Sequence, residues 1–276
     1  MLRRLPTKPV LIEFTGTSGA GKTTLARNVI EMLQARDFAV TTASEVILGR
    51  FGLAAFPRSH LGAIVMNAIA FMPFLLSLRR ENSRRLFGLV VQSIFDSSQP
   101  LSIKLNVLRN VIKHLGIHSI LRSLQRKSVA YDIVIVDEGS LHIAQNVFAH
   151  VGARPDRQRI ETFASLVPLP DLVVWVTAPM PQLVSCILQR GHKRIGRSYS
   201  DALTFLSHST FIYNVLFTLP VTQSNLLRVH NNSQPGVYPD LQHNLQTIVD
   251  AIEAILREGF PVVLKNQSEY KNVPYD

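Results

Sequence analysis

The sequence predicts an α/β protein built on a doubly wound, five-stranded parallel sheet, with a helical insertion between the second and third strands. Three observations predict it. Five β-rich runs recur along the 276 residues, at Val10–Phe14, Phe38–Ala43, Asp132–Val136, Asp171–Val176 and Leu226–His230. Helical patterns separate them, and strand–helix alternation of this kind closes into a parallel sheet through right-handed crossovers. The long connection from about Glu45 to Lys127 reads as several helices without a strand.

Each element has a local reason. Three of the five runs are nearly continuous in apolar residues, as expected of strands covered on both faces. Thr24 to Arg36 reads as the first helix. Pro155 to Val167 puts Ile160, Phe163, Ala164 and Val167 on one face and stops at Pro168 and Pro170. Pro179 to Arg190 opens with prolines suited to a first turn and ends at Gly191. Asp201 to Leu219 follows Ser200 as its expected cap and stops before Pro220. Asp240 to Glu258 repeats Leu241, Leu245, Ile248, Ile252 and Ile255 and ends at Gly259. We expect one domain over 8–260, with 46–127 as a basic and apolar helical insertion and 261–276 as a polar tail.

The first strand feeds Gly16-Thr17-Ser18-Gly19-Ala20-Gly21-Lys22-Thr23, which spells G-x-x-x-x-G-K-T, and the first helix leaves it. The glycines let backbone N–H groups wrap a phosphate chain, and the helix N-terminus adds partial positive charge. Lys22 is placed to reach the β- and γ-phosphates, and the Thr23 hydroxyl to ligate Mg²⁺. With Thr24, these residues form the expected nucleotide site, and ATP and Mg²⁺ are the expected cofactors.

Ile133-Val134-Ile135-Val136-Asp137-Glu138 is an apolar strand ending in two carboxylates. Beside the phosphate loop, Asp137 can hold Mg²⁺ through a water, with Glu138 as a further metal candidate. An Asp after a strand also reads as a turn or helix cap. Arg190, Lys193, Arg194 and Arg197 then put four cations within eight positions, between two helices. Such a loop suits a lid that neutralises a transferring phosphoryl group, or a solvated basic turn.

The layout resembles the thymidylate kinase-like and deoxynucleoside kinase-like branch of the P-loop kinases. The similar parts are Gly16–Thr23, the strand ending in Asp137, Asp171-Leu172-Val173-Val174-Trp175-Val176-Thr177-Ala178-Pro179, the helix into Arg190-Gly191 with its basic lid, and Phe205 through Tyr213 before a strand ending Val229-His230-Asn231. The resemblance implies a five-stranded P-loop kinase core, Mg-ATP as phosphoryl donor, and Arg190, Arg194 and Arg197 as lid arginines. It also implies a substrate contact or base at Glu45, just after the second strand. Two features depart from the pattern. The third strand ends in Asp137-Glu138 where the family commonly has an acid followed by Arg. Ser44-Glu45-Val46-Ile47 stands where thymidylate kinases have Glu-Pro-Gly-Gly.

Charge and composition limit the alternatives. All of the net +10 falls in positions 46–127, which hold twelve Lys and Arg against Glu81 and Asp96. Arginines there suit a phosphate-bearing acceptor, with Arg50 and Arg58, the cations closest to the second strand, as substrate candidates. Few aromatics interleave with these cations, which disfavours nucleic acid. Leu61 to Leu78 is eighteen residues without a charge, and a buried helix pair fits it better than a span, because one crossing would separate the phosphate loop from Asp137. Peripheral membrane contact through 61–127 and a homodimer stand as further expectations. The lone Cys186 leaves no disulfide framework or multi-cysteine metal site, and its place in an apolar pattern marks it as buried filler. With no export signal read at the N-terminus, we expect a cytoplasmic location, with membrane association as an open alternative. The expected activity is transfer of the γ-phosphoryl group of Mg-ATP to a small anionic acceptor, a nucleotide, nucleoside or related metabolite. The rival is a regulatory or assembly ATPase that hydrolyses ATP with Glu138 and docks through the insertion. No Asn-Lys-x-Asp follows the phosphate loop, which argues against a signalling GTPase.

Overall fold

The structure, a computed structural model, describes residues 8–53, 60–126, 130–191, 195, 198–231 and 239–258. The chain runs β1 (Val10–Thr15), α1 (Lys22–Gln34), β2 (Val40–Thr42), α2 (Ala43–Gly49), α3 (His60–Ser77), α4 (Glu81–Asp96), α5 (Leu101–Leu124), β3 (Ile133–Asp137), α6 (His142–Phe148), α7 (Arg157–Leu166), β4 (Leu172–Thr177), α8 (Met180–Arg190), α9 (Tyr199–Thr218), α10 (Pro220–Gln223), β5 (Leu226–His230) and α11 (Pro239–Glu258). The five strands form one all-parallel sheet in the order β2-β3-β1-β4-β5. With a glycine-rich loop after its central strand, this is the doubly wound, five-stranded parallel sheet with a helical insertion between β2 and β3 that the sequence predicts.

Every residue of β1 is buried, because helices cover both faces of the sheet. Parallel pairing aligns Val10 with Ile133 and Phe14 with Asp137, and Ile12 with Leu172. All strands therefore end on one edge, and the loops leaving β1, β3, β4 and β5 meet there.

Local chemistry explains where the elements differ from the pattern in the sequence. β2 stops short of Ala43 because Thr42, still paired with Ile135 in the sheet, also caps α2: its side chain accepts from Glu45 N, and the Glu45 carboxylate accepts from Thr42 N. This is a capping box, which satisfies two donors of the first turn. The cap of α9 is Ser198, not Ser200. Ser198 Oγ accepts from Asp201 N at 3.0 Å, and Ser200 lies within the helix.

The insertion forms a layer rather than a separate body. Val107, Val111 and Leu115 of α5 and Leu86, Val90 and Ile94 of α4 join the main core. Val46, Ile47 and Leu48 of α2, Met66 of α3 and Leu121 and Leu124 of α5 pack on Leu11 and Val134. At the foot of the sheet, Asp171 accepts from Leu11 N at 2.9 Å and pairs with Arg122 at 3.2 Å. Gln125 donates to Pro9 O at 2.9 Å. These contacts tie α5 to the starts of β1 and β4.

The segment 61–78 is not the buried helix pair that the sequence suggests. One face of α3 packs on α5 through Met66, Ala70 and Phe74, while its other face is exposed and apolar, with Ile64 at 65%, Phe71 at 46%, Met72 at 61% and Leu76 at 52%. Among the described residues no single helix is long and apolar enough to cross a membrane, and α3 and α4 meet at a 118° bend.

The α3–α5 contact is close enough to be tested. A Cβ built on Gly116 would stand 2.0 Å from the Ala70 carbonyl oxygen. Gly116→Ala should lower the unfolding free energy by about 1–3 kcal/mol through overpacking, despite roughly 1 kcal/mol gained in helix propensity. Urea denaturation measures this, and a more stable variant would contradict the packing.

Candidate active site

The phosphate loop takes its shape from glycines at the points where side chains cannot fit. Gly16 has φ +140°, and a Cβ there would lie 2.1 Å from Val176 O; Gly21 has φ +90°, and a Cβ there would lie 2.4 Å from Asn231 Nδ2. Asn231, at the end of β5, donates to Ala20 O at 2.9 Å, so the fifth strand buttresses the loop.

Lys22 is the first residue of α1, and its side chain is 5% exposed. Its Nζ donates to Gly16 O and Thr17 O, each at 3.1 Å, and stands 3.6 Å from Glu138 Oε1. Thr23 Oγ1 donates to Asp137 Oδ2 at 2.9 Å. The hydroxyl and carboxylate expected to hold a metal therefore converge. Burial pushes the Asp137 carboxyl above its ordinary range, against the Thr23 hydrogen bond. Glu138, next in the chain, has φ +61°. Its carboxyl is held down to about 2, first by the His142 imidazole and then by Lys22, with His114 and Lys113 adding to the effect against burial.

Behind the loop lies a polar network. His142 Nε2 is 3.6 Å from Glu138 Oε2, and its Nδ1 is 3.3 Å from Tyr213 OH. Tyr213 OH donates to Gln145 Oε1 at 3.2 Å, and Gln145 Nε2 donates to Ser18 Oγ at 3.0 Å. Thr15 Oγ1 donates to Tyr213 OH at 3.3 Å. The network thus runs from Ser18 through Gln145, Tyr213 and His142 to Glu138 and back to Lys22.

Two cavities meet at this edge. One, of about 200 Å³, is lined by Ser18, Gly19, Gly21, Lys22, Thr23, Thr24, Glu138 and Arg190. The other, of about 790 Å³, lies between α1 and the insertion, and its walls include Arg27, Glu31, Ser44, Glu45, Lys113 and His114. Thr23, Thr24 and Glu138 belong to both. Burial lowers the Lys113 ammonium from its ordinary value, with Glu138 opposing. Burial also lowers His114 well below its ordinary value, with Lys113 and His142 adding to the effect.

The residues expected from the sequence fall into three groups. Gly16 through Thr24, Asp137, Glu138 and Arg190 come together around the loop. Glu45 lines the larger cavity, but its Oε2 is engaged by Thr41 Oγ1 at 3.2 Å and Thr42 N at 3.0 Å. Arg50 is exposed at the end of α2 and is not among the cavity's lining residues; Arg27 and Lys113 are. Arg58, Arg194 and Arg197 lie outside the described residues, as does the tail 261–276. Cys186 is half-buried beside the loop rather than core filler. Sequence reasoning missed Arg27, Lys113, His114, His142 and Gln145. The visible signal was polar residues inside apolar helical patterns: His142, Gln145 and Asn146 are all buried in α6.

The chain is similar in fold to the thymidylate kinase of Ehrlichia chaffeensis, at 13% identity over 89% of this chain and 99% of that one, with a TM-score of 0.46. It is also similar to TT1252 of Thermus thermophilus, at 15% identity over 88% and 97%, with a TM-score of 0.39. No protein-family model matches the chain, and no curated protein matches it in sequence.

One buried group near the site gives a pH prediction. Glu13 on β1 accepts from Leu141 N at 3.0 Å and His142 N at 3.3 Å. Burial nevertheless raises its carboxyl from 4.5 to about 7. The folded chain therefore holds this proton more tightly than the unfolded chain. That contribution is complete below the unfolded value and is lost as pH rises through the folded one. Going from about pH 5 to about pH 8 should cost the wild type roughly 1–3 kcal/mol more than Glu13→Gln, which keeps a neutral acceptor. Denaturation midpoints at the two pH values check this, and parallel curves would contradict it.

Proposed function

We propose that the protein is an ATP-dependent phosphotransferase that moves the γ-phosphoryl group of Mg-ATP to a small anionic acceptor, with a nucleotide or nucleoside as the class the pocket best accommodates. One observation carries this reading: a phosphate-loop cavity and a larger cavity share Thr23, Thr24 and Glu138 as a common wall. Donor and acceptor held on either side of that wall would meet at the γ-phosphate position, and phosphoryl transfer depends mainly on such positioning and on charge stabilisation.

The backbone from Gly16 to Thr24 cradles the triphosphate. The incoming phosphates take over the Lys22 ammonium from Gly16 O, Thr17 O and Glu138, and Lys22 then neutralises charge on the transferring group. Thr23 and Asp137 would hold Mg²⁺, and the donor set of one hydroxyl, one nearby carboxylate and the phosphates suits a hard cation. When bound, the ion would supply positive charge that offsets that of the phosphates. Arg190 supplies a cation from the far side of the loop, joined in this reading by Arg194 and Arg197.

On the acceptor side, Arg27 and Lys113 are the cations suited to an anionic group, and Ile117 and Met66 offer apolar surface to a base or sugar. Glu45 holds α2 in place through its capping contact and thereby positions this wall; its other carboxylate oxygen is the one available to an acceptor. The ATPase reading is less well supported. Glu138 is paired with both Lys22 and His142, and a cavity of about 790 Å³ beside it is far larger than one attacking water needs.

Peripheral membrane contact has its own observation. The exposed face of α3 presents Ile64, Phe71, Met72, Leu75 and Leu76, followed by Arg79, Arg80, Arg84 and Arg85. An apolar stripe with adjoining cations suits an anionic lipid surface. Phe71→Ser/Leu75→Ser should lose co-sedimentation with phosphatidylglycerol vesicles; binding unchanged by that variant would remove this reading.

Two variants test the enzyme. Lys22→Ala should lower turnover about a hundredfold or more while leaving a folded protein. Lys113→Ala should raise the acceptor KM about tenfold with little change in ATP affinity. Activity retained by folded Lys22→Ala would refute the assignment, and an effect of Lys113→Ala on ATP alone would move the acceptor elsewhere.

A further inference from the structure

A third cavity lies at the opposite edge of the sheet from the phosphate loop. It measures about 370 Å³, and its walls include Lys8, Arg80, His118, Arg122 and Arg126, with Ser77, Ser83 and Ser119. Among the described residues no carboxylate lines it. Lys8 precedes β1 and Pro168 precedes β4, so the cavity sits where the parallel strands begin. The loop that follows β1 is therefore roughly 20 Å away, the length of a six-residue strand.

The cavity has a fixed floor. Arg122 Nη1 pairs with Asp171 at 3.2 Å and bonds Gln125 Oε1 at 2.6 Å, while its Nη2 bonds Leu169 O. Its Nε donates to His118 Nε2 at 3.4 Å. Asp171 is the carboxylate that answers Arg122, and it is also bonded to Leu11 N and Gln125. No ion pair is formed by Arg80, Arg126 or Lys8 among the described residues. Burial and the nearby charges of Arg122 and Arg80 keep the His118 imidazole neutral down to about 3, as expected of a site with a positive field.

We propose that this cavity is a second anion site, for a multiply charged phosphate group carried by a soluble phosphate ester or by a lipid headgroup. Its volume fits a small ligand rather than a lone ion. Exposed cations at the rim over a pinned arginine match phosphate oxygens, and Ser83 and Ser119 add neutral donors. The site also gives Arg80, Arg122 and Arg126, part of the insertion's charge excess, a ligand away from catalysis. It is independent of the proposed phosphotransferase reading.

The test is calorimetric titration of the full chain with tripolyphosphate at low ionic strength. It is run in Lys22→Ala, so that the phosphate loop does not compete, and in the wild type saturated with a non-hydrolysable Mg-ATP analogue. We expect one site in both, weakened about tenfold or more by Arg80→Ser/Arg126→Ser and unchanged by Arg84→Ser/Arg85→Ser. Circular dichroism checks that each variant is folded. Vesicles of phosphatidylcholine with and without phosphatidylglycerol separate the sources. Binding that needs phosphatidylglycerol, Arg80 and Arg126, and that tripolyphosphate displaces, assigns a headgroup. Tripolyphosphate binding with no such vesicle binding assigns a soluble ester. The proposal is overturned if tripolyphosphate binds only where Lys22 is intact, or if both arginine pairs weaken it equally. Loss of ATP binding to the wild type, with this second site retained, would instead refute the nucleotide reading alone.

Discussion

A lysine ammonium buried at the start of a helix must be given acceptors, and most of the site is arranged around the acceptors of Lys22. Two are carbonyls of its own loop, at Gly16 and Thr17, and the third is the Glu138 carboxylate. For those carbonyls to point inward the loop must pass against β4 at Gly16 and against Asn231 at Gly21, where no side chain fits. Glu138 must turn back toward the loop, which it does in a left-handed conformation that few non-glycine residues adopt. Its second partner, His142, is in turn set by Tyr213, Gln145 and Ser18. A buried cation whose partners are two carbonyls and one carboxylate can exchange them for phosphate oxygens and stay paired throughout.

The parallel sheet decides what can join this arrangement. With every strand running the same way, β1, β3, β4 and β5 deliver their following loops to one edge. The insertion then closes the space beside that edge: α2 and α5 cover the β1–β3 side through Leu11 and Val134, and Lys113 and His114 enter the larger cavity from α5. The same helix reaches the other edge through Arg122. Part of the insertion's charge is thus divided along one helix, with Lys113 facing the proposed acceptor and Arg122 a separate basic cavity.

Sequence signals were strongest where chemistry is contiguous. Gly16–Thr23 is legible because eight neighbouring residues make one loop, and Ile133–Asp137 because a strand buried on both faces is apolar throughout. Helix ends were readable to within a few residues, and the errors have local causes: Thr42 and Ser198 compete with their neighbours as caps and win by pairing with an acidic residue three positions on. The acceptor wall was not legible. Arg27 and Lys113 lie far apart in the chain and share a cavity only after α1 and α5 pack. Arg50, close to the second strand in sequence, ends exposed on the far end of α2. The half-exposed state of α3 was hidden for the same reason: an apolar stretch does not say which of its faces finds a partner.

The most direct test is ³¹P NMR of the purified protein with Mg-ATP, with and without a panel of nucleosides and nucleoside monophosphates. One acceptor class should produce ADP together with a new phosphoryl resonance on the acceptor, at a rate far above the release of inorganic phosphate. Inorganic phosphate alone, at a rate indifferent to every acceptor, would contradict it.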